Sequence, residues 1–264
     1  MPRFSANIGF MFNEVPFADR YAAATQAGFR GIECPFPYEV PPDELAQLLP
    51  RHGVRQVLCN LPPDGMAAIP GQEEAFAAGL QRALTYARAL NCPRLHAMAG
   101  APPAEVDRAD CEAVYVRNLR WAAETLQPQG VHLLIEPINT TGMPGYFLHT
   151  AAQARRIMDQ VGHDNLFLQL DLYHCQIMTG NLSETIKTHL EVIDHFQIAG
   201  HPGRHEPDVG EINYPYLFDL IDDLGYTGWV GCEYRPRADT AAGLGWLRPF
   251  LDGTAAGSAE AKCW

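Results

Sequence analysis

Short apolar runs alternate with longer amphipathic ones along the whole chain. The short runs are Phe4–Phe12, Gly31–Cys34, Val54–Asn60, Arg94–Ala99, Val131–Glu136, Leu166–Asp171, His195–Ala199 and Trp229–Glu233. Each reads as a strand, and an unbroken stretch such as Val131-His132-Leu133-Leu134-Ile135 suits a strand covered on both faces, as in a parallel sheet. The stretches between them predict helices. Pro16–Ala27 carries Phe17, Tyr21 and Ala24 at helical spacing, and Pro42–Arg51 opens with Pro-Asp-Glu. Glu73–Leu90 and Cys111–Leu126 are long and rich in Ala, Leu and Arg. Further helices are expected over about 149–161, 182–190, 214–224 and 240–251. Glycine follows several of these stretches, at Gly28, Gly53, Gly130, Gly162 and Gly225, where a left-handed residue stops a helix ahead of the next strand.

Eight βα units without a break in composition match a closed (β/α)₈ barrel, while an open doubly wound sheet would alternate in the same way. The chain has no Gly-x-Gly-x-x-Gly and no P-loop. The expected organisation is one barrel domain over residues 1–252. Residues 253–264, small and polar apart from Trp264, are expected to form a flexible tail that this Trp could dock. The long connections follow the third, fourth, fifth and seventh strands, and in a barrel these lie on the C-terminal, functional face.

Composition narrows the function. With 47% hydrophobic and 19% charged residues, the 264-residue chain can bury a full core. Its formal charge is -12, from 31 acidic and 19 basic residues. That balance opposes binding to nucleic acid or to anionic membranes, and a small anionic substrate would need a local basic clamp. No stretch approaches the roughly 20 apolar residues of a membrane span, and the N-terminus lacks an apolar signal core. Seven scattered cysteines without a Cys-x-x-Cys pair read as reduced, buried thiols, as expected in the cytoplasm. A homo-oligomer stays open.

The chemistry is concentrated at the ends of the late strands. The fifth reads Leu134-Ile135-Glu136-Pro137, the sixth Leu168-Gln169-Leu170-Asp171, the seventh His195-Phe196-Gln197-Ile198 and the eighth Gly231-Cys232-Glu233-Tyr234. A carboxylate at the end of an apolar strand buries charge, at a cost of several kcal/mol unless it is paired or holds a metal. In a barrel, three such carboxylates converge at one mouth, where oxygen ligands suit a hard cation, Mg²⁺ or Mn²⁺. Purely structural uses stand beside this reading: Asp171 capping the loop before Tyr173-His174, Glu233 paired with Arg235 or Arg237, and Gln197 as a buried amide. Glu33, ending the second strand, either reaches the site or caps a helix. Cys34, Cys59 and Cys175, without a base partner, read as packing.

Several segments resemble the hydroxypyruvate isomerase family, a branch of the xylose-isomerase-like barrels. They are Met11-Phe12-Asn13-Glu14-Val15-Pro16-Phe17, Asn60-Leu61-Pro62-Pro63, Arg94-Leu95-His96-Ala97-Met98-Ala99-Gly100, Ile135-Glu136-Pro137-Ile138-Asn139, Asp171-Leu172-Tyr173-His174, and His201-Pro202-Gly203-Arg204-His205-Glu206-Pro207 running on to Gly210-Glu211-Ile212-Asn213-Tyr214. The resemblance implies a barrel holding one divalent metal on Glu136, Asp171, Gln197 and Glu233, with Glu136 and Glu233 also forming the acid–base pair. It further implies that His174 and Arg204 contact substrate oxygens. The wider superfamily more often has His where Gln197 stands.

The activity expected is interconversion of hydroxypyruvate and tartronate semialdehyde through an enediolate. Alternatives are a four-carbon 2-oxotetronate substrate, a ketose 3-epimerase, or a metal-dependent hydrolase such as a barrel nuclease. Three carboxylates around a divalent cation leave net negative charge, so Arg204 and Arg235 are the candidates for holding a substrate carboxylate. Asn60 and His96, near the ends of the third and fourth strands, are candidate polar contacts in the pocket, and Phe12 is a candidate for its apolar wall.

Overall fold

Each short apolar run pairs with the next in sequence, always in parallel, and the last pairs with the first. The computed structural model describes residues 2–251. Its strands are β1 (Arg3–Asn7), β2 (Gly31–Glu33), β3 (Arg55–Asn60), β4 (Arg94–His96), β5 (His132–Ile135), β6 (Leu166–Asp171), β7 (Ile193–Ile198) and β8 (Trp229–Cys232), closed into a barrel in that order. Closure excludes the open sheet. The helices are α1 (Asp19–Gln26), α2 (Pro42–His52), α3 (Glu73–Leu90), α4 (Arg108–Leu126), α5 (Ala151–Val161), α6 (Leu172–Met178), α7 (Leu182–His189), α8 (Tyr214–Asp223) and α9 (Arg248–Leu251). The tail expected beyond residue 252, with Trp264, lies outside the described residues.

The helices sit on the barrel through one apolar face each. In α3, Phe76, Leu80, Ala83, Leu84, Ala87 and Leu90 are buried at helical spacing. Side chains cap the starts of two others: Asp107 accepts from the Ala109 N–H ahead of α4, and Thr150 accepts from the Gln153 N–H ahead of α5. At the start of the strands, Asp194 in β7 accepts from Arg94 in β4 (Nε, 2.8 Å) and from His132 in β5 (Nδ1, 2.8 Å). The His132 ring stacks on Phe167 of β6, with centroids 4.5 Å apart. Four neighbouring strands are thus tied together at the end away from the long loops.

Three elements differ from the sequence pattern. β1 stops at Asn7 although the apolar run continues to Phe12. The Asn7 carbonyl accepts from the Phe10 and Met11 N–H groups and its side-chain Oδ1 from the Gly9 N–H, so the chain turns there. Ile8, Met11 and Phe12 are apolar because they are buried over the barrel, not because they extend a strand. The stretch 240–251 forms a 3₁₀ segment, Ala242–Leu247, before the short α9. Finally, α6 follows β6 directly, where only a loop was expected.

Candidate active site

Strand register brings the site residues to one end of the barrel. Asp171 is level with Gln197 across β6 and β7, and Asn60 with His96 across β3 and β4. Glu136 and Glu233 follow the last residues of β5 and β8. Asp171 is also the N-cap of α6: its Oδ1 accepts from the Tyr173 N–H at 2.8 Å, which turns the chain into a helix and brings His174 back over Asp171. The His174 Nε2 lies 3.5 Å from Asp171 Oδ2 and 3.8 Å from Glu136 Oε1. Glu136, Asp171, His174 and Glu233 each direct one ligand atom to a common point, all within 4.8 Å of one another.

These groups are almost wholly buried. Burial raises the Glu136 carboxyl well above its usual range, and the negative charges of Glu233 and Asp171 add to the effect. Burial likewise raises Glu233, to about 8; Arg204 opposes the rise, and Asp171 and Glu33 reinforce it. His174 is pushed down to about 4 and His96 to about 3, chiefly by burial, so both imidazoles are neutral near pH 7. The Asn139 N–H donates to His174 Nδ1 at 3.3 Å, and the Asn139 amide lies 2.6 Å from the same atom. With Nδ1 accepting, the neutral ring carries its proton on Nε2, facing the carboxylates.

Arg204 enters this cluster from the loop after β7. It adopts a left-handed backbone (φ 58°), and its carbonyl accepts from the Arg235 N–H at 2.8 Å. Its guanidinium lies 4.7 Å from the Phe10 ring centroid and 5.3 Å from that of Tyr173. One terminal nitrogen donates to Glu233 Oε2 and to Asp171 Oδ2 (3.4 Å). Burial works against the Arg204 charge, but Glu233, Asp171 and Glu136 outweigh it and hold its pKa above the usual value.

Other expected site residues sit differently. Gln197 is buried and level with Asp171, yet its Nε2 donates to Glu33 Oε2 at 2.9 Å and its Oε1 accepts from Gln169 at 2.6 Å. The same amide also bonds the Glu233 carboxylate, so Gln197 adjoins the cluster through its N–H rather than its oxygen, and His174 is the fourth side chain at the common point. Arg235 is exposed; its backbone braces Arg204 and accepts from His205, while its side chain lines a cavity of about 540 Å³ with Phe10, Asn13, Glu14 and Thr240. Glu233 is paired with Arg204, not with Arg235 or Arg237. His96 Nδ1 lies 3.2 Å from Asn60 Oδ1 and 3.6 Å from Glu136 Oε2, so both polar-wall candidates adjoin the site. Phe12 is buried behind Thr240, whose hydroxyl accepts from the Phe12 N–H. Cys34, Cys59 and Cys175 are free and buried.

Sequence reasoning missed Asn7, Asn139 and the ring pair Phe10 and Tyr173. Asn7 was hidden because the apolar run masked the true end of β1. Asn139 stands in the polar stretch after Glu136 and had no positional signal of its own.

The donor set can be tested against a metal. Three buried carboxylates meet at a point beside the His174 ring, and Glu136 Oε1 has no hydrogen-bond partner there. Such an oxygen-dominated set fits a divalent cation of the Mg²⁺ or Mn²⁺ kind.

Comparison with known proteins agrees with this architecture. The profile of the family described as "Xylose isomerase-like TIM barrel" matches residues 21–250. The chain is 52% identical over 258 residues to a 2-oxo-tetronate isomerase of Cupriavidus necator, covering 95% of this chain and 99% of that one. It is 44% identical over 257 residues to the hydroxypyruvate isomerase of Escherichia coli, covering 95% and 100%. A crystal structure titled "AP endonuclease, family 2" from Brucella melitensis superposes with a TM-score of 0.93 at 48% identity, covering 95% of this chain and 99% of that one. The chain therefore belongs to the xylose isomerase-like TIM barrel family and is an isomerase of that family.

Proposed function

We propose that the protein is a metal-dependent isomerase that moves a carbonyl between C2 and C3 of a short 2-oxo acid, interconverting hydroxypyruvate and tartronate semialdehyde. The observation that carries this reading is the meeting of two buried glutamates, Glu136 and Glu233, at one point with Asp171 and His174. Glu136, Asp171 and Glu233, with a reoriented Gln197, would hold the metal. When bound, a divalent cation supplies Lewis acidity to the two substrate oxygens.

The protein's own groups account for the rest. One glutamate removes a proton from C3 of hydroxypyruvate, breaking that C–H bond and leaving an enediolate. The other, or the same group, returns a proton to C2, while the hydroxyl proton passes from O3 to O2. The His174 Nε2–H, fixed by Asn139, donates to a substrate oxygen. Arg204 is the inner cation and offers a planar fork for the substrate carboxylate, with Arg235 as an outer cation at the mouth. His96 and Asn60 form a neutral polar wall.

A second reading, a four-carbon 2-oxotetronate substrate, is supported by the 52% identity to the Cupriavidus necator enzyme. It needs the same carbonyl shift and room for one more carbon. The free, buried cysteines fit a reducing compartment such as the cytoplasm.

The test is a substrate panel followed by NMR in D₂O, with and without chelator. The expected result is carbonyl shift and deuterium incorporation with 2-oxo acids, lost on chelation and restored by Mn²⁺ or Mg²⁺. The relative kcat/KM for hydroxypyruvate and 2-oxotetronate chooses between the two substrates. Turnover of neutral ketoses without turnover of either acid would overturn the proposal.

A further inference from the structure

Behind the site, the barrel interior holds a further buried carboxylate, one that the reaction described above does not use. Glu33, the last residue of β2, is 1% exposed. Its Oε1 accepts from Ser5 Oγ at 2.6 Å and lies 2.9 Å from His195 Nε2, while its Oε2 accepts from Gln197 Nε2 at 2.9 Å. Asn7 Nδ2 approaches the same Oε2 at 3.4 Å. Burial alone would raise the Glu33 carboxyl; the charge and hydrogen bond of His195, with the bonds from Ser5 and Gln197, bring it below its usual range. Strand β8, on the other side of β1 from β2, makes room for it. At Gly231 in β8, a Cβ would stand 1.9 Å from Glu33 Oε1, so a glycine is required where this carboxylate lies.

Asn7 connects this carboxylate to the site. Its Nδ2 donates to Glu233 Oε1 at 2.9 Å. Its orientation is not free, because Oδ1 already accepts from the Gly9 N–H at 3.0 Å, which leaves Nδ2 for the two glutamates. Glu233 is thereby divided: Oε1 is held by Asn7, and Oε2 faces Arg204 and the cluster.

We infer that Glu33 is the positioning residue of Glu233, acting through Asn7, so that one defined oxygen of Glu233 is presented to the substrate. Glu33 touches neither substrate nor the cluster and is not itself catalytic. The inference rests on Glu233 being one of the acid–base pair. A carboxylate free to rotate about its last bond would present either oxygen, and a misplaced reacting group loses rate even when binding is unchanged.

The experiment compares Asn7→Ala and Glu33→Gln with Asp194→Asn, a variant of the ion-pair network at the far end of the barrel. Each is measured for kcat, KM and thermal unfolding, and each is titrated with Mn²⁺ alone by calorimetry. Outer partners that orient ligands are worth about 10- to 100-fold in activity or metal affinity. Asn7→Ala is therefore expected to lose kcat by about 10- to 100-fold and to weaken Mn²⁺ binding, with KM changed by no more than about twofold. Glu33→Gln is expected to shift the same two quantities in the same direction, and Asp194→Asn to lower the unfolding temperature with kcat unchanged. Wild-type kcat in Asn7→Ala or in a folded Glu33→Gln would overturn the inference, as would a kcat loss in Asp194→Asn as large as that in Asn7→Ala. If Glu33→Gln does not fold, Asn7→Ala decides alone, since it leaves the Ser5, His195 and Gln197 bonds to Glu33 in place. Failure of the underlying reading is recognised separately, by full activity in Glu233→Gln.

Discussion

Glu136 and Glu233 share a side chain and a position just past a strand end, yet they meet different partners. Glu136 has one oxygen with no hydrogen-bond partner and the other 3.6 Å from His96, whereas both oxygens of Glu233 accept hydrogen bonds, from Asn7 and from Arg204. Replacing either by its isosteric amide removes a proton carrier without changing volume. Glu136→Gln and Glu233→Gln are each expected to keep a native circular dichroism spectrum while kcat falls by about 10²- to 10⁴-fold. Arg204 is expected to tolerate loss of charge geometry no better than loss of charge. Arg204→Lys keeps the cation but not the planar fork; losing a charge-assisted bond of about 1.5–3 kcal/mol corresponds to about 10- to 150-fold in kcat/KM for the acid substrate. Steady-state kinetics at saturating metal measures it, and an unchanged kcat/KM would remove Arg204 from substrate binding. At this scale the strand-end acids were legible in the sequence, because a carboxylate closing an apolar run is conspicuous. The partners of Gln197 were not, since they depend on where a distant Glu33 lies.

The strands carry stability at the end opposite the site. Asp194 joins Arg94 and His132, and these interactions outweigh burial to hold its carboxyl below the usual value. A carboxyl with a depressed folded pKa contributes stability that is complete above its unfolded value, about 3.9, and is lost as the pH falls through the folded value. Glu33 has the same sign. Wild-type protein is thus expected to lose stability as the pH drops from about 5 towards 3. Asp194→Asn should be less stable by about 1–3 kcal/mol at pH 7 and lose less over that acid interval. Urea unfolding at a series of pH values reports both effects, and parallel acid profiles for the two proteins would contradict the assignment. Most of the elements were legible from periodicity. The exceptions have local causes: α6 is seven residues long and too short to show a helical period, and β1 is followed by buried apolar residues that extend its pattern past its end.

For the whole molecule, the net charge works against binding a polyanion. The formal charge is -12, and the cations that approach the site, Arg204 above all, lie against carboxylates. Polyanion binding depends on basic side chains replacing phosphate counterions. Purified protein is expected to leave duplex DNA containing an abasic site intact at metal concentrations that support isomerisation. A gel assay for nicking tests this, and metal-dependent cleavage would restore the hydrolase reading. Among the described residues, no helix is long and apolar enough to cross a membrane.

What the sequence determined by itself was the repeating architecture and the end of the barrel where the acids collect. Both follow from local rules: side chains alternate along a strand, apolar stripes recur along a helix, and parallel strands in a barrel all end on one face. What only the tertiary structure decided was which polar groups meet. Arg204 rather than Arg235 enters the cluster because a left-handed turn in the loop after β7 aims it there. Gln197 faces Glu33, and Asn7 bridges Glu33 to Glu233, because buried charge takes hydrogen bonds from whatever strands the closed barrel places around it. Those partners lie up to 226 residues apart along the chain, and no local pattern encodes a contact at that range.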